Sequence, residues 1–315
     1  MISIITPAYC EAENLPVLHT HLQAVLQKHA QPWEWIVVDD HSSDHTFEVV
    51  SRLAQNHENI SAIRLSKNCG SHVAVMAGLR LCSGQCAVVM AADMQDPPEL
   101  IISMLAAWEN GTQVVWAARR HREGETQTTL GFSRFYHWLM RNIIKIKNIP
   151  PRGADFFLID KQVIQALNQF DENNISLLAL LSWVGFRQQT IEYDKQARLH
   201  GQSGWSVSKK LKLVIDSITA FSFLPIRVMS VIGFLTALFG FLYAFVVLAN
   251  RFLSEPAQGW SSLMVVVLVV GGLQMLMLGI LGEYLWRALD ESRRRPRYLI
   301  EQATRMDPVV SKTKT

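Results

Sequence analysis

Short apolar runs and longer stretches of helical spacing alternate along the chain up to about residue 205. Ile2–Thr6, Trp35–Asp39, Ser61–Leu65, Ala87–Ala91 and Gln113–Ala117 predict strands. The first run carries no basic leader and no cleavage site, so it reads as a buried strand and not as a signal peptide. Asn14–His29, Asp44–Asn56, Ser71–Cys82 and Pro97–Asn110 predict helices between the runs. This alternation predicts a mainly parallel α/β sheet.

The pattern changes after Pro225. Val228–Ala249 and Leu263–Gly282 contain no charged residue. A bilayer core needs about 20 apolar residues per helix, and a helix of a soluble protein rarely lacks a polar face for that long. Both stretches therefore predict membrane spans. Ser206–Arg227 mixes lysines with Leu211, Leu213, Val214, Ile218 and Phe221, as helices lying on a membrane surface do.

Charge sets an orientation. Lys209, Lys210, Lys212 and Arg227 precede the first span, and Arg287, Arg293, Arg294, Arg295 and Arg297 follow the second. The positive-inside rule then places both termini in the cytoplasm and the short connector outside. The expected organisation is an α/β domain over 1–205, amphipathic juxtamembrane helices over 206–227, a hairpin over 228–287 with spans at about 228–249 and 263–285, and a basic cytoplasmic tail over 288–315.

Composition narrows the classes. A net charge of +3 is too weak for a nucleic-acid partner. Cys10, Cys69, Cys82 and Cys86 form no CxxC pair and no zinc spacing, and read as free thiols of a reducing compartment. No GxxxxGK[ST] loop, no GxGxxG after a strand and no GxSxG elbow is present.

The candidate chemistry sits at strand ends, where open parallel sheets bind ligands. Pro7 to Asn14 follow the first strand, Asp39 to Asp44 the second, and Asp93 to Glu99 the fourth. A carboxylate there can bind a ribose hydroxyl or a base N–H, or cap the next helix. Asp44 reads as a cap. Asp39 and Asp40 read as ligand contacts, since a cap needs no acidic neighbour. Asp93 with Gln95 suits a divalent cation or a turn.

Taken together, PAYCEAENL, VVDDHSSDHT and AADMQDPPEL resemble the family 2 glycosyltransferases, which have a GT-A fold. Within them the chain is similar to the polyprenyl-phosphate glycosyltransferases, such as dolichol-phosphate mannose synthase and the bactoprenol glucosyltransferases. LSKNCGSHVAVMAGL, RGADFFLIDKQVI, RLHGQSGWSVSKKLKL and GEYLWRALDESRRRPRYLI extend the resemblance over nearly the whole chain.

The resemblance implies a bacterial inner-membrane enzyme that moves a sugar from a nucleotide sugar, a UDP-sugar by expectation, to undecaprenyl phosphate. The product would serve cell-envelope glycan or lipopolysaccharide O-antigen modification. It implies that Pro7, Tyr9, Glu11, Asp39, Asp40, Asn68 and Gly70 shape the nucleotide pocket. Asp93 and Gln95 would hold Mg2+ or Mn2+. Arg119 and Arg134 would meet the lipid phosphate, with Asp155 near the sugar and acceptor. Arg198 and Ser203 would lie on an acceptor loop, and a homo-oligomer is expected by analogy.

Three positions depart from the family pattern. Ala91 stands where relatives often have the first acid of a DxD, Cys10 replaces the usual Asn, and Gly204 stands where some relatives have Lys. Ala91 is also what a non-catalytic membrane scaffold with a degenerate nucleotide-binding domain would show. A processive polysaccharide synthase is the other alternative, but no QxxRW motif is present.

Overall fold

The first strand made is the centre of the sheet. β1 (Ile2–Ala8) pairs in parallel with β2 (Trp33–Asp39) on one side and β4 (Cys86–Val89) on the other. Its residues are buried on both faces, so the run does not alternate, and its two polar members are hydrogen-bonded, Ser3 to Glu34 and Thr6 to the Trp35 ring N–H. A computed structural model supplies these coordinates and describes residues 1–29, 31–120, 155–170, 176–194, 222, 224–253 and 259–305. Two units are separable, Met1–Leu211 with Pro296–Thr315, and Lys212–Arg295.

In the first unit, α1 (Asn14–Leu26), α2 (Thr46–Asn56), α3 (Ser71–Leu81) and α4 (Leu100–Glu109) alternate with β1, β2, β3 (Ile60–Leu65), β4 and β5 (Val114–Arg119). Then come β6 (Phe156–Asp160), α5 (Lys161–Leu167), α6 (Leu177–Trp183) and β7 (Gln188–Tyr193), and after the second unit β8 (Ile300–Ala303). The sheet order is β7-β5-β6-β4-β1-β2-β3-β8. Helices cover both faces. Ile4, Trp35 and Val37 pack towards α1, α2 and α4 on one face, while Ile5, Trp116 and Phe157 pack with α3, α5 and α6 on the other. At the closest point, a Cβ on Gly78 of α3 would lie 2.5 Å from Cγ2 of Ile5. A larger residue there would push the helix off the central strand.

The sheet is a mixed α/β sheet, with two differences from the simple alternating reading. β6 inserts between β4 and β5 and runs antiparallel to both. An alternation pattern cannot show this, because it assumes that consecutive strands are neighbours. The segment read as a basic tail over 288–315 also divides: its start completes a helix, and Ile300–Ala303 forms β8, antiparallel to β3. Its charged residues had masked a strand.

The second unit holds α7 (Leu224–Leu253) and α8 (Trp260–Ser292). Both are long and apolar enough by length and composition to cross a membrane, and large side chains such as Phe239, Phe241 and Val269 are exposed. Met277 Cε would lie 3.1 Å from a Cβ on Gly233, and the Tyr284 hydroxyl donates to the Ser222 carbonyl at 2.9 Å. These pairings run in opposite directions along the chain, as in a hairpin. Two such helices suggest membrane association. Most of 206–227 lies outside the described residues.

Candidate active site

Three loops at the carboxyl ends of β1, β2 and β4 build one site, and each contains a non-glycine residue in the left-handed region. Cys10 has φ 57°, His41 φ 59° and Met94 φ 56°. Such conformations cost about 1 kcal/mol or more, so the surrounding contacts must hold them.

Those contacts are dense between the first two loops. The N–H groups of Cys10, Glu11 and Ala12 donate to Ser42 Oγ (2.9 Å), Thr46 Oγ1 (2.9 Å) and Asp44 Oδ2 (3.4 Å). Asp44 Oδ1 also accepts the Thr46 N–H at 3.1 Å, so it caps the start of α2, as expected. Glu11 accepts from Asn14 Nδ2 at 2.6 Å.

Asp39 and Asp40 have divided roles. The Asp39 carboxylate is fully buried, accepting the Ser42 N–H at 3.0 Å and Arg64 Nη1 at 2.9 Å, and it does not line the cavity. Asp40 accepts the N–H groups of Cys69 and Gly70, both at 2.7 Å. Burial pushes its carboxyl up, and those two N–H groups pull it back only in part. Gly70 has φ 92°, a conformation that a side chain would strain, and its carbonyl accepts the first hydrogen bonds of α3. Asn68 is exposed and does not line the cavity.

The cavity itself has a volume of about 290 Å³. Pro7, Tyr9, Glu11 and Asp40 line one side, and Asp93, Gln95, Asp96, Arg119 and Asp155 line the other. Tyr9 is 51% exposed at this site, an aromatic face available for stacking. Ala91 also lines the wall. Arg134, Arg198 and Ser203 lie outside the described residues.

Arg119 is surrounded by acceptors. Its Nη2 lies 3.7 Å from Asp155 Oδ2, and Tyr193 stands opposite it across the β5–β7 pair. Tyr193 in turn donates to Asp96. Burial works against the charge on Arg119, but the Tyr193 hydrogen bond and the charges of Asp96 and Asp155 outweigh it, and its pKa is raised. Burial first, then the Asp96 charge, raises that of Tyr193. Arg119 therefore stays a cation while only 14% of its side chain is exposed.

Sequence reasoning missed Tyr193, Asp96 as its partner, and His72. His72 lines the cavity from the first turn of α3. Burial lowers its pKa, with the Asp155 charge acting the other way, so it is neutral at pH 7. Tyr193 ends an ordinary strand and gave no signal. His72 sits beside Gly70 in a segment already singled out, and that position was its one clue.

The donor set fits a divalent cation. Asp93 and Gln95 both line the cavity, and the Asp93 carboxylate accepts the Gln95 N–H at 3.3 Å. Among the described residues no group of three or more His, Cys, Asp or Glu is arranged for a metal. Magnesium held mainly by substrate phosphates needs only one or two carboxylates.

Residues 3–167 match the family model described as Glycosyl transferase family 2. An uncharacterized glycosyltransferase of Synechocystis is 36% identical over 95% of this chain and 94% of its own. The SfII prophage-derived bactoprenol glucosyl transferase of Shigella flexneri is 30% identical over 98% of this chain and 99% of its own. Among solved structures, glucosyl-3-phosphoglycerate synthase from Mycobacterium tuberculosis, in complex with Mn2+, UDP-glucose and phosphoglyceric acid, gives a TM-score of 0.49 at 13% identity, over 70% of this chain and 79% of that one.

Proposed function

The chain belongs to glycosyl transferase family 2 and is a glycosyltransferase, and we propose that it moves a sugar from a UDP-sugar to undecaprenyl phosphate at the bacterial inner membrane. The observation that carries this reading is the cavity, which combines a carboxylate and aromatic wall on the β1–β2 side with a buried, fully charged arginine on the β5 side. The first wall suits a nucleoside and the second an anionic acceptor. The name of the Shigella relative and the two apolar helices support the lipid acceptor.

The reaction is a direct displacement with inversion. An oxygen of the lipid phosphate forms the new bond to the anomeric carbon, and the bond to the nucleotide diphosphate breaks. The phosphate is already ionised at neutral pH, so the site has to supply position and charge balance more than a base. Arg119 offsets the acceptor charge, since a guanidinium matches phosphate geometry. Asp155, 3.7 Å from Arg119, holds that guanidinium until the acceptor arrives. Pro7, Tyr9, Glu11 and Asp40 border the nucleoside, and Asp39 acts from behind the wall by fixing the loop that carries Ser42. Asp93 and Gln95 would hold Mg2+ or Mn2+, which supplies positive charge beside the leaving diphosphate. Both termini lie in the cytoplasm in this reading, with Arg134, Arg198 and Ser203 on the acceptor side.

The test offers the full-length protein a panel of nucleotide sugars with undecaprenyl phosphate. Formation of a lipid-linked sugar from one donor is the expected result. Release of free sugar with no lipid product from any donor would overturn the acceptor.

A further inference from the structure

We infer that Tyr298–Thr304, the chain that follows the apolar helices, is a working part of the nucleotide pocket, and that Glu301 positions Asp39 and the β2 loop through Arg64. This rests on the reading that the β1–β2 side takes the donor nucleotide.

Two kinds of contact carry it. The first is polar. β8 pairs with β3, and the register shifts between Arg64 and Leu65. Such irregularities re-aim a side chain. At this one, each guanidinium nitrogen of Arg64 has its own acceptor. Nε donates to Glu301 Oε2 at 3.1 Å, Nη1 to Asp39 Oδ2 at 2.9 Å, and Nη2 to the Ser42 carbonyl at 3.0 Å. A planar fork held at Nε can present its other two nitrogens in only one direction. Ser42 Oγ then accepts the Cys10 N–H at 2.9 Å. A continuous series of contacts thus runs from β8 to the loop after β1.

The second contact is apolar. Tyr298 packs on a cluster that includes Ile36 and Val38 of β2 and Ala74 of α3. β2 ends in Asp39, and α3 starts where the Gly70 N–H binds Asp40. Backbone bonds fix the segment in place. The Ser66 N–H donates to the Leu299 carbonyl, and the Thr304 N–H to the Ala62 carbonyl, both at 2.9 Å.

A strand that merely covers a sheet edge needs its main chain and not a carboxylate at position 301. Glu301 is 41% exposed, and ion pairs that open to water add little stability. Its effect should therefore fall on loop geometry and leave the melting temperature nearly unchanged.

The experiment compares the full-length protein with Glu301→Ala, Glu301→Gln and Arg64→Lys. UDP binding is read by calorimetry and amide exchange by mass spectrometry. Glu301→Ala should weaken UDP binding about 3- to 5-fold and speed exchange in 40–46 and 10–12, with the melting temperature nearly unchanged. Glu301→Gln should fall between, because its amide oxygen still accepts from Nε. Arg64→Lys should match or exceed the Ala variant. Unchanged exchange in those loops would overturn the inference. So would a lower melting temperature with faster exchange spread evenly over β3 and β8, the mark of an edge cover alone. If the parent fails to bind UDP, the donor reading falls, while the exchange comparison still decides the coupling.

Discussion

The two sides of the cavity are built on different principles. On the β1–β2 side nearly every polar group is already engaged within the protein. Asp40 holds two backbone N–H groups, Asp39 an arginine and a backbone N–H, and Asp44 caps a helix while reaching the neighbouring loop. The β4–β7 side is a charge balance facing the cavity, with Arg119 set among Asp96, Asp155 and Tyr193. The first wall is preorganised, so a ligand gains affinity because little is left to order. The second wall holds a cation whose partners an incoming anion can replace. Fixed geometry suits a nucleoside of constant shape, and exchangeable charge suits a phosphate that must enter and leave.

The largest expected effect tests the cavity side. Asp93→Ala should lower turnover about 100-fold or more with Mg2+ present, since charge stabilisation by a metal is worth several kcal/mol. Circular dichroism should report an intact fold. Undiminished activity in excess chelator would remove the metal from this side.

Asp40→Ala tests the fixed wall. It leaves the N–H groups of Cys69 and Gly70 without their acceptor. A stability loss of about 3 kcal/mol is expected, seen in denaturant midpoints together with weaker nucleotide binding. Asp40→Asn should lose about half of that, because one amide oxygen replaces two carboxylate oxygens.

Arg119→Ala should separate the two walls. Acceptor efficiency should fall roughly 10- to 100-fold, the equivalent of one charge-assisted hydrogen bond, with nucleotide affinity unchanged. Lys should rescue only in part. Loss of nucleotide affinity with normal lipid dependence would place Arg119 on the donor side and end the distinction between the walls.

A smaller effect lies beneath the fixed wall. His19 stacks on Trp35 at 5.8 Å and meets His57 at 4.5 Å. Burial, then the His57 charge, lowers its pKa below the ordinary 6.5. The fold therefore favours neutral His19, and the unfolded chain binds more protons below pH 6.5. Its stabilising contribution is complete above that pH and is lost as the pH falls towards the folded value. Melting temperatures measured from pH 8 down to pH 5.5 should drop less for His19→Phe than for the parent.

The smallest change expected is a gain. Cys10 occupies a left-handed conformation that Asn tolerates better. Cys10→Asn should raise stability by about 0.5 to 1 kcal/mol, measured by chemical denaturation.

The difference between the walls also explains what the sequence made legible. The strands and helices around the β1–β2 wall match their sequence reading within a few residues, because local periodicity and local capping set them. Asp44 could be read as a cap from its place before an amphipathic run. Asp39 could be read as important, but not as facing away from the cavity, since its partner Arg64 lies on another strand. On the other side, β6 inserts between strands that precede it in the chain, and Tyr193 reaches Asp96 across 97 positions. Contacts of that range leave no periodic trace. The apolar helices were the easiest part to read, since length and absence of charge are the whole signal.

The position of β8 has a consequence for biosynthesis. The chain is translated from a strand at the centre of the sheet to one at its edge, and the apolar helices emerge between the rest of the sheet and that edge. The ribosome has therefore passed both helices before it makes Glu301, and the loop beneath Arg64 gains its last support only then. A nascent chain halted or cleaved within the helices would carry most of the fold and an incomplete β1–β2 wall. The order of synthesis thus ties completion of the pocket to prior synthesis of the two apolar helices.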